Sequence, residues 1–208
     1  MAHVPRWAEF AAREPSLSLC YPKNMAAVTD TRPLTWQDVI NDPSLQDLPY
    51  KIELNKRGNI EMSPATNLYG LYQVSIGDLL RDHAPAGRRI TECSVETRDG
   101  VKVADVAWLS KVFFAQFGNV TPYPQAPGIC VEIIRHYQKV ETWLHQDFDI
   151  KTRNTSQAIL EKIELYLGQG AVEVWTCNLQ GSVKFFNNDG SLEQSGLVPG
   201  FPNTITLE

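Results

Sequence analysis

The sequence predicts an α/β (α+β) domain built on a mixed β-sheet flanked by helices, and three observations carry that prediction. Ile129-Cys130-Val131-Glu132-Ile133-Ile134 is an unbroken strand-forming run, the pattern of a strand covered on both faces. Asn55-Lys56-Arg57-Gly58 and Arg98-Asp99-Gly100 each join two strand patterns into a hairpin, the Asp-Gly pair because it supplies positive φ at little steric cost. Between the hairpins, Leu68, Leu71, Tyr72, Ile76, Leu79 and Leu80 recur at helical spacing. Antiparallel hairpins and crossover helices in one chain require a sheet of mixed direction.

The elements follow in order. Residues 1–32 mix Pro5, Pro15 and Pro22 with Trp7 and Phe10 without a sustained period and read as a peripheral N-terminal extension, leaving the domain proper over 33–208. Thr35-Trp36-Gln37-Asp38 sets a capping residue three positions before an acid and opens a short helix to Asn41, with Trp36 and Val39 inward. Strands over 50–54 and 59–63 make the first hairpin, and a helix over 66–83 packs on the sheet. Strands over 88–97 and 101–109 make the second, followed by a short helix over 110–117 and the proline-rich 121–127. After the buried strand, Asn154-Thr155-Ser156 caps a helix through Leu167 with Ile159, Ile163, Tyr166 and Leu167 inward, and Gly168 and Gly170 close it. Strands over 171–177 and 182–186 flank the Gln180-Gly181 turn, and the tail beyond Asp189-Gly190 is expected at the edge.

Composition narrows the function classes. At 208 residues and 43% hydrophobic content, the chain suffices for one well-cored domain. A formal net charge of -5 gives no global attraction to nucleic acid, so phosphate binding has to rest on local Lys and Arg groups or on a metal. Cys20, Cys93, Cys130 and Cys177 form no CxxC pair and no zinc-type spacing. Three of them fall in predicted strands as small apolar side chains, which fits a reducing cytoplasm. No apolar stretch approaches the roughly 18 to 20 residues of a membrane span, and the N-terminus lacks a signal-peptide pattern, so a cytoplasmic protein with no membrane partner is expected.

Two acids stand where a buried strand has no use for them. Glu132 interrupts 129–134, and Asp105 interrupts the run Val101-Lys102-Val103-Ala104-Asp105-Val106-Ala107-Trp108. Burying an unpaired carboxylate costs several kcal/mol or forces it to hold a proton. A third acid, Glu53, lies in Tyr50-Lys51-Ile52-Glu53-Leu54 on the strand face it shares with Lys51. Neighbouring strands lie about 4.8 Å apart, so the acids can point into one cleft. There each pair repels by roughly 4 kcal/mol at about 4 Å and an effective dielectric near 20. A divalent cation relieves the repulsion, polarises a phosphate and activates a bound water. The plainer reading of one strand acid is a solvent-facing edge residue, and two acids in strongly apolar strands weigh against it. His83, His136 and His145 read as surface residues, and Lys51, Lys56, Arg57, Arg88 and Arg89 as solvated charge.

Glu53 on an early strand, Met62-Ser63-Pro64 after it, the run from Gly100 to Trp108, Val131-Glu132-Ile133, and Lys162 with Tyr166, Gly170 and Glu173-Val174-Trp175 together resemble the Uma-two family of restriction-type endonucleases. That bacterial family belongs to the PD-(D/E)XK nuclease superfamily. The resemblance covers roughly Pro33 to Leu207, and the ordered combination is far more specific than any one motif. It implies a restriction-endonuclease-like fold and Mg2+-dependent hydrolysis of DNA phosphodiester bonds, with Mn2+ as a substitute metal and a homodimer as a compatible assembly. By carry-over, Asp105 is the motif aspartate, Glu132 the motif glutamate and Glu53 the upstream acid. The resemblance makes these three the metal ligands and adds Lys162 to the catalytic set.

The chain also departs from the family pattern. Ala104 replaces the motif proline, a backbone position of little consequence for chemistry. Ile134 stands in the place of the motif lysine and cannot orient water or neutralise a transition state. Lys162 can supply that charge: one residue before Ile163 and four before Tyr166, it borders the inward face of its helix. Its plainer reading is a surface lysine beside Glu161 and Glu164. Residues 135–153 intervene where the family turns directly into its lysine helix, so the segment reads as an insertion, and Tyr137, Val140, Trp143 or Leu144, and Phe148 recur at helical intervals, which predicts an extra helix at the mouth of the site. Tyr69 stands where the family usually has histidine. A second function class therefore stays open, a nuclease-fold binding or assembly module with impaired catalysis.

Overall fold

The computed structural model describes residues 32–134 and 156–207, whose elements all belong to the compact unit Pro33–Glu208. The insertion expected over 135–153, and the N-terminal extension apart from Arg32, lie outside the described residues. Thr35 caps α1 (Trp36–Asn41): its hydroxyl accepts from Asp38 N at 3.3 Å while the Asp38 carboxylate accepts from Thr35 N at 2.8 Å. β1 (Tyr50–Leu54) and β2 (Ile60–Pro64) form the first antiparallel hairpin. α2 (Asn67–His83) leads to the long hairpin of β3 (Gly87–Thr97) and β4 (Gly100–Ser110). Gly100 takes φ 86° at that turn, and a Cβ on it would run into the Leu54 carbonyl oxygen, so glycine is what lets β1 come close. α3 (Lys111–Phe117), β5 (Ile129–Ile134), α4 (Ser156–Gly168), β6 (Glu173–Asn178), β7 (Val183–Asn187) and β8 (Gly190–Leu192) complete the order. The boundaries expected from the sequence hold to within a residue or two, and β8 and a 3-10 turn over Pro43–Leu45 are added to them.

All eight strands join one mixed sheet, ordered β2-β1-β4-β5-β6-β7-β8 with β3 also paired to β4. The fold class expected from the sequence is the one found. β5 and β6 are parallel, as a crossover through α4 requires, and every other pair is antiparallel. β3 takes one edge of β4, while β1 and β5 share the other: Val101 pairs with Glu96 and Leu54, and Val106 pairs with Thr91 and Val131.

Burial follows strand alternation. Ile129, Val131 and Ile133 of β5 and Trp175 and Cys177 of β6 join Tyr72, Ile76 and Leu80 of α2 on one face. Cys130 and Val174 join Ile159, Ile163 and Tyr166 of α4 and Phe113 of α3 on the other. Burial pushes the Cys93 and Cys177 thiols up to about 12, which keeps them protonated and inert.

Two expectations are corrected. On α2 the buried residues are Tyr69, Tyr72, Ile76 and Leu80, while Leu68 and Leu71 face solvent, so the apolar stripe is rotated from the one its leucines suggest. The tail is edge structure only at β8, the end strand of the sheet; beyond it Val198, Phe201 and Ile205 fill the α2-side core. Glu173 anchors this tail, accepting from Trp175 Nε1 and Ser195 Oγ at 2.7 Å, Gly196 N at 2.8 Å and Leu197 N at 2.9 Å. Four donors satisfy a carboxylate that would otherwise be costly to bury.

Candidate functional site

The edge of β4 shared by β1 and β5 is interrupted. β1 pairs there through Leu54↔Val101 and β5 from Val106 to Trp108, so the stretch from Lys102 to Asp105 spans a fork between the two strands. One further step of the β4–β5 register would set Asp105 opposite Glu132, so the ladder opens where the two acids meet. Backbone donors freed by such an opening need other acceptors. Val103 N donates to Glu53 Oε1 at 2.9 Å, and Ile133 N donates to Asp105 Oδ2 at 2.6 Å. The acids singled out by the sequence thus close the fork.

All three are buried, Asp105 at 2%, Glu132 at 3% and Glu53 at 8% exposure. Two lysines compensate them. Lys51, carried two residues before Glu53 on the same face of β1, donates to Asp105 Oδ1 and to Glu132 Oε2 at 3.3 Å, and lies 3.8 Å from Glu53 Oε1. Lys162 of α4 donates to Glu53 Oε1 at 2.7 Å and to Glu132 Oε2 at 3.1 Å. Each face of the sheet adds a phenol: Tyr69 of α2 donates to Asp105 Oδ1, and Tyr166 of α4 donates to Glu132 Oε1 at 2.8 Å. Ile134, at the place of the motif lysine, packs against the apolar cluster under α4.

The acids respond differently to burial. For Glu53, burial works to raise the pKa, but the Lys162 and Lys51 ammonium groups, with hydrogen bonds from Lys162 and Val103 N, outweigh it and hold the carboxyl at about 2. For Glu132, burial together with the nearby Asp105 and Glu53 charges prevails over both lysines and raises the pKa. Lys51 is driven well above its ordinary value, because Asp105, Glu132 and Glu53 overcome the effect of burial. Lys162 is raised for the same reason by Glu132 and Glu53. With all groups ionised, three carboxylates face two ammonium groups and the cluster keeps one negative charge in excess.

Glu53, Asp105, Glu132 and Lys162 are therefore brought together. Lys51 corrects the sequence reading, which took it for solvated charge: its side chain is 6% exposed. The signal was its period-two spacing from Glu53, which puts both on one face. Gln73 and Glu92 were not anticipated. Gln73, one turn after Tyr69, donates to Glu92 Oε1 at 2.6 Å and to the Asp105 carbonyl at 3.0 Å. Glu92 sits at φ 51° in β3, a left-handed conformation that no sequence pattern announces, and burial raises its pKa. Among the described residues no three carboxylates, imidazoles or thiols stand together as a ready-made metal cage. Nor is any helix there long and apolar enough to cross a membrane.

No family model matches the chain, and no curated protein matches it. Among solved structures the chain is similar to one described as "a putative nuclease belonging to DUF820" from Anabaena variabilis ATCC 29413, with a TM-score of 0.50 and 14% identity over 74% of this chain and 80% of that one. The likeness shows the fold: a large mixed sheet flanked by helices, shared with a nuclease-like neighbour.

Proposed function

We propose that this protein is a divalent-metal-dependent endonuclease that hydrolyses phosphodiester bonds of DNA. The observation that supports it is the convergence of Glu53, Asp105 and Glu132, from three strands, on the ammonium groups of Lys51 and Lys162 at the fork in the sheet. The fold likeness and the resemblance to the Uma-two family agree with that reading. The donor set suits Mg2+ or Mn2+, being all carboxylate oxygen with an excess negative charge. Those three acids would hold the metal, which when bound polarises the phosphate and lowers the pKa of a water.

The chain's own groups do the rest. Tyr69 OH and Ile133 N hold the two oxygens of Asp105, and Tyr166 OH holds Glu132 Oε1, which restricts the orientations of the acids that would take up a cation. Lys162 keeps Glu53 ionised and presents a positive charge where the phosphorane's developing negative charge has to be met. The compensation of the acids by Lys51 favours a second reading, a nuclease-fold binding module whose ion cluster is purely structural. Titration calorimetry separates the two. Mg2+ or Mn2+ is expected to bind the wild type and to lose most of its affinity in Asp105→Asn, alongside loss of duplex cleavage. Equal affinity in both proteins would refute the metal assignment.

A further inference from the structure

The position of Lys51 bears on how a cation enters this site. Its ammonium group is within ion-pair distance of all three acids, touching Asp105 Oδ1 and lying 3.3 Å from Glu132 Oε2 and 3.8 Å from Glu53 Oε1. A cation ligated at about 2.0–2.1 Å by oxygens of the same carboxylates has to lie among those oxygens, in the space the ammonium fills. Two cations cannot share it. Lys162 is arranged otherwise, since it bridges Glu53 and Glu132 from the α4 side and makes no bond to Asp105. Asp105 has Lys51 as its sole ammonium partner among the described residues, its other donors being the neutral Tyr69 hydroxyl and Ile133 amide.

A displaced Lys51 has a place to go. Glu92 lies across Tyr69 from Asp105, linked to that phenol at 3.4 Å and to Gln73 Nε2 at 2.6 Å. Both donors are neutral, and among the described residues no ammonium or guanidinium group pairs with this carboxylate. The Lys51 ammonium and the Tyr69 hydroxyl meet at the same Asp105 oxygen, so a single phenol separates the ammonium from Glu92. The left-handed backbone at Glu92, φ 51°, holds the carboxylate on the site side of β3 and is the kind of local strain that persists where surrounding bonds over-determine it.

Resting on the metal-dependent reading above, we infer that Lys51 is a tethered cation that holds the metal position of the empty site, and that a divalent ion binds by driving the ammonium from Asp105 towards Glu92. Metal affinity is then set by this exchange as much as by the three ligands. The Lys51→Met variant keeps the length of the side chain and removes its charge. Titrated with MnCl2 by calorimetry, it is expected to bind at least tenfold more tightly than the wild type, with a larger metal-induced rise in Tm. Equal or weaker binding than the wild type would overturn the exchange while leaving the metal site intact. Binding by neither protein would instead remove the reading on which the exchange rests. Glu92→Gln supplies an independent arm outside the three acids, in case Lys51→Met does not fold without metal. Neutralising Glu92 is expected to weaken Mn2+ binding about threefold or more in the wild-type background and to leave it unchanged in Lys51→Met where that variant is folded. An unaltered affinity in Glu92→Gln overturns the receiving role of Glu92.

Discussion

Lys162 shows how one side chain joins stability to chemistry. The sequence places it on the border of a helix face, where its removal would be nearly neutral. In the structure its side chain is 19% exposed and bonded to two buried carboxylates. Lys162→Ala leaves Glu53 and Glu132 with one ammonium fewer, and an uncompensated buried charge typically costs about 1–3 kcal/mol or more. That loss is expected in urea unfolding, together with a fall in any metal-dependent cleavage of roughly 10². A variant with unchanged turnover and reduced stability would confine Lys162 to the structural role. The three acids were legible because each breaks an apolar strand. Lys51 was not, because a lysine near a carboxylate in a short strand looks the same whether the pair is buried or wet. Glu92 left no trace at all, since its role depends on a backbone conformation.

At the scale of elements, the hairpin turns carry more than connection. Gly100 joins β3 to β4 and also admits the Leu54 carbonyl, through which β1 meets β4. Gly100→Ala places a Cβ in that contact at a residue whose φ is 86°, so both strain and a clash follow. Destabilisation of about 1–3 kcal/mol is expected. The more telling readout is metal affinity, which should fall because Glu53 and Lys51 ride on the displaced strand. Strands and hairpins were read correctly because turn residues and apolar runs are local signals. The α2 stripe was misread in its first turn: Tyr69, Tyr72, Ile76 and Leu80 keep a helical period, but Leu68 and Leu71 offer a second apolar line beside it, and the period alone does not choose between the two. The tail beyond β8 was misread because its place in the core goes with the three bonds that Ser195, Gly196 and Leu197 give to Glu173 on another strand.

For the whole molecule, the ion cluster makes stability depend on pH with a definite sign. Glu53 has its pKa lowered from 4.5 to about 2, so its contribution is full above 4.5 and is lost as pH falls towards 2. Glu132, raised instead, acts in the opposite sense and offsets part of that loss. Lys51 and Lys162 are raised above 10.5, so their contributions are complete below that value and disappear as pH climbs through their higher folded pKa values. Denaturant unfolding is expected to show stability falling on both sides of this range. The acid limb should be flatter in Glu53→Gln, and an identical acid limb would mean that other carboxylates dominate. Such coupling between distant strands is what the sequence could not convey: it names the charged residues and leaves their partners to the fold.

The fork in β4's shared edge has one more consequence. The first hairpin is held to the rest of the sheet by the Leu54↔Val101 pair, by a small apolar cluster around Val39, Leu54 and Val101, and by the charges that Lys51 and Glu53 exchange with Asp105, Glu132 and Lys162. Ordinary strands are stitched along their length. This one is pinned through its charged middle as well, so the Lys51 ammonium that sits among the acids also helps to hold the joint. The cation exchange proposed for the site would therefore change the grip on the hairpin as well, tying ion binding to the mechanical integrity of the sheet's edge.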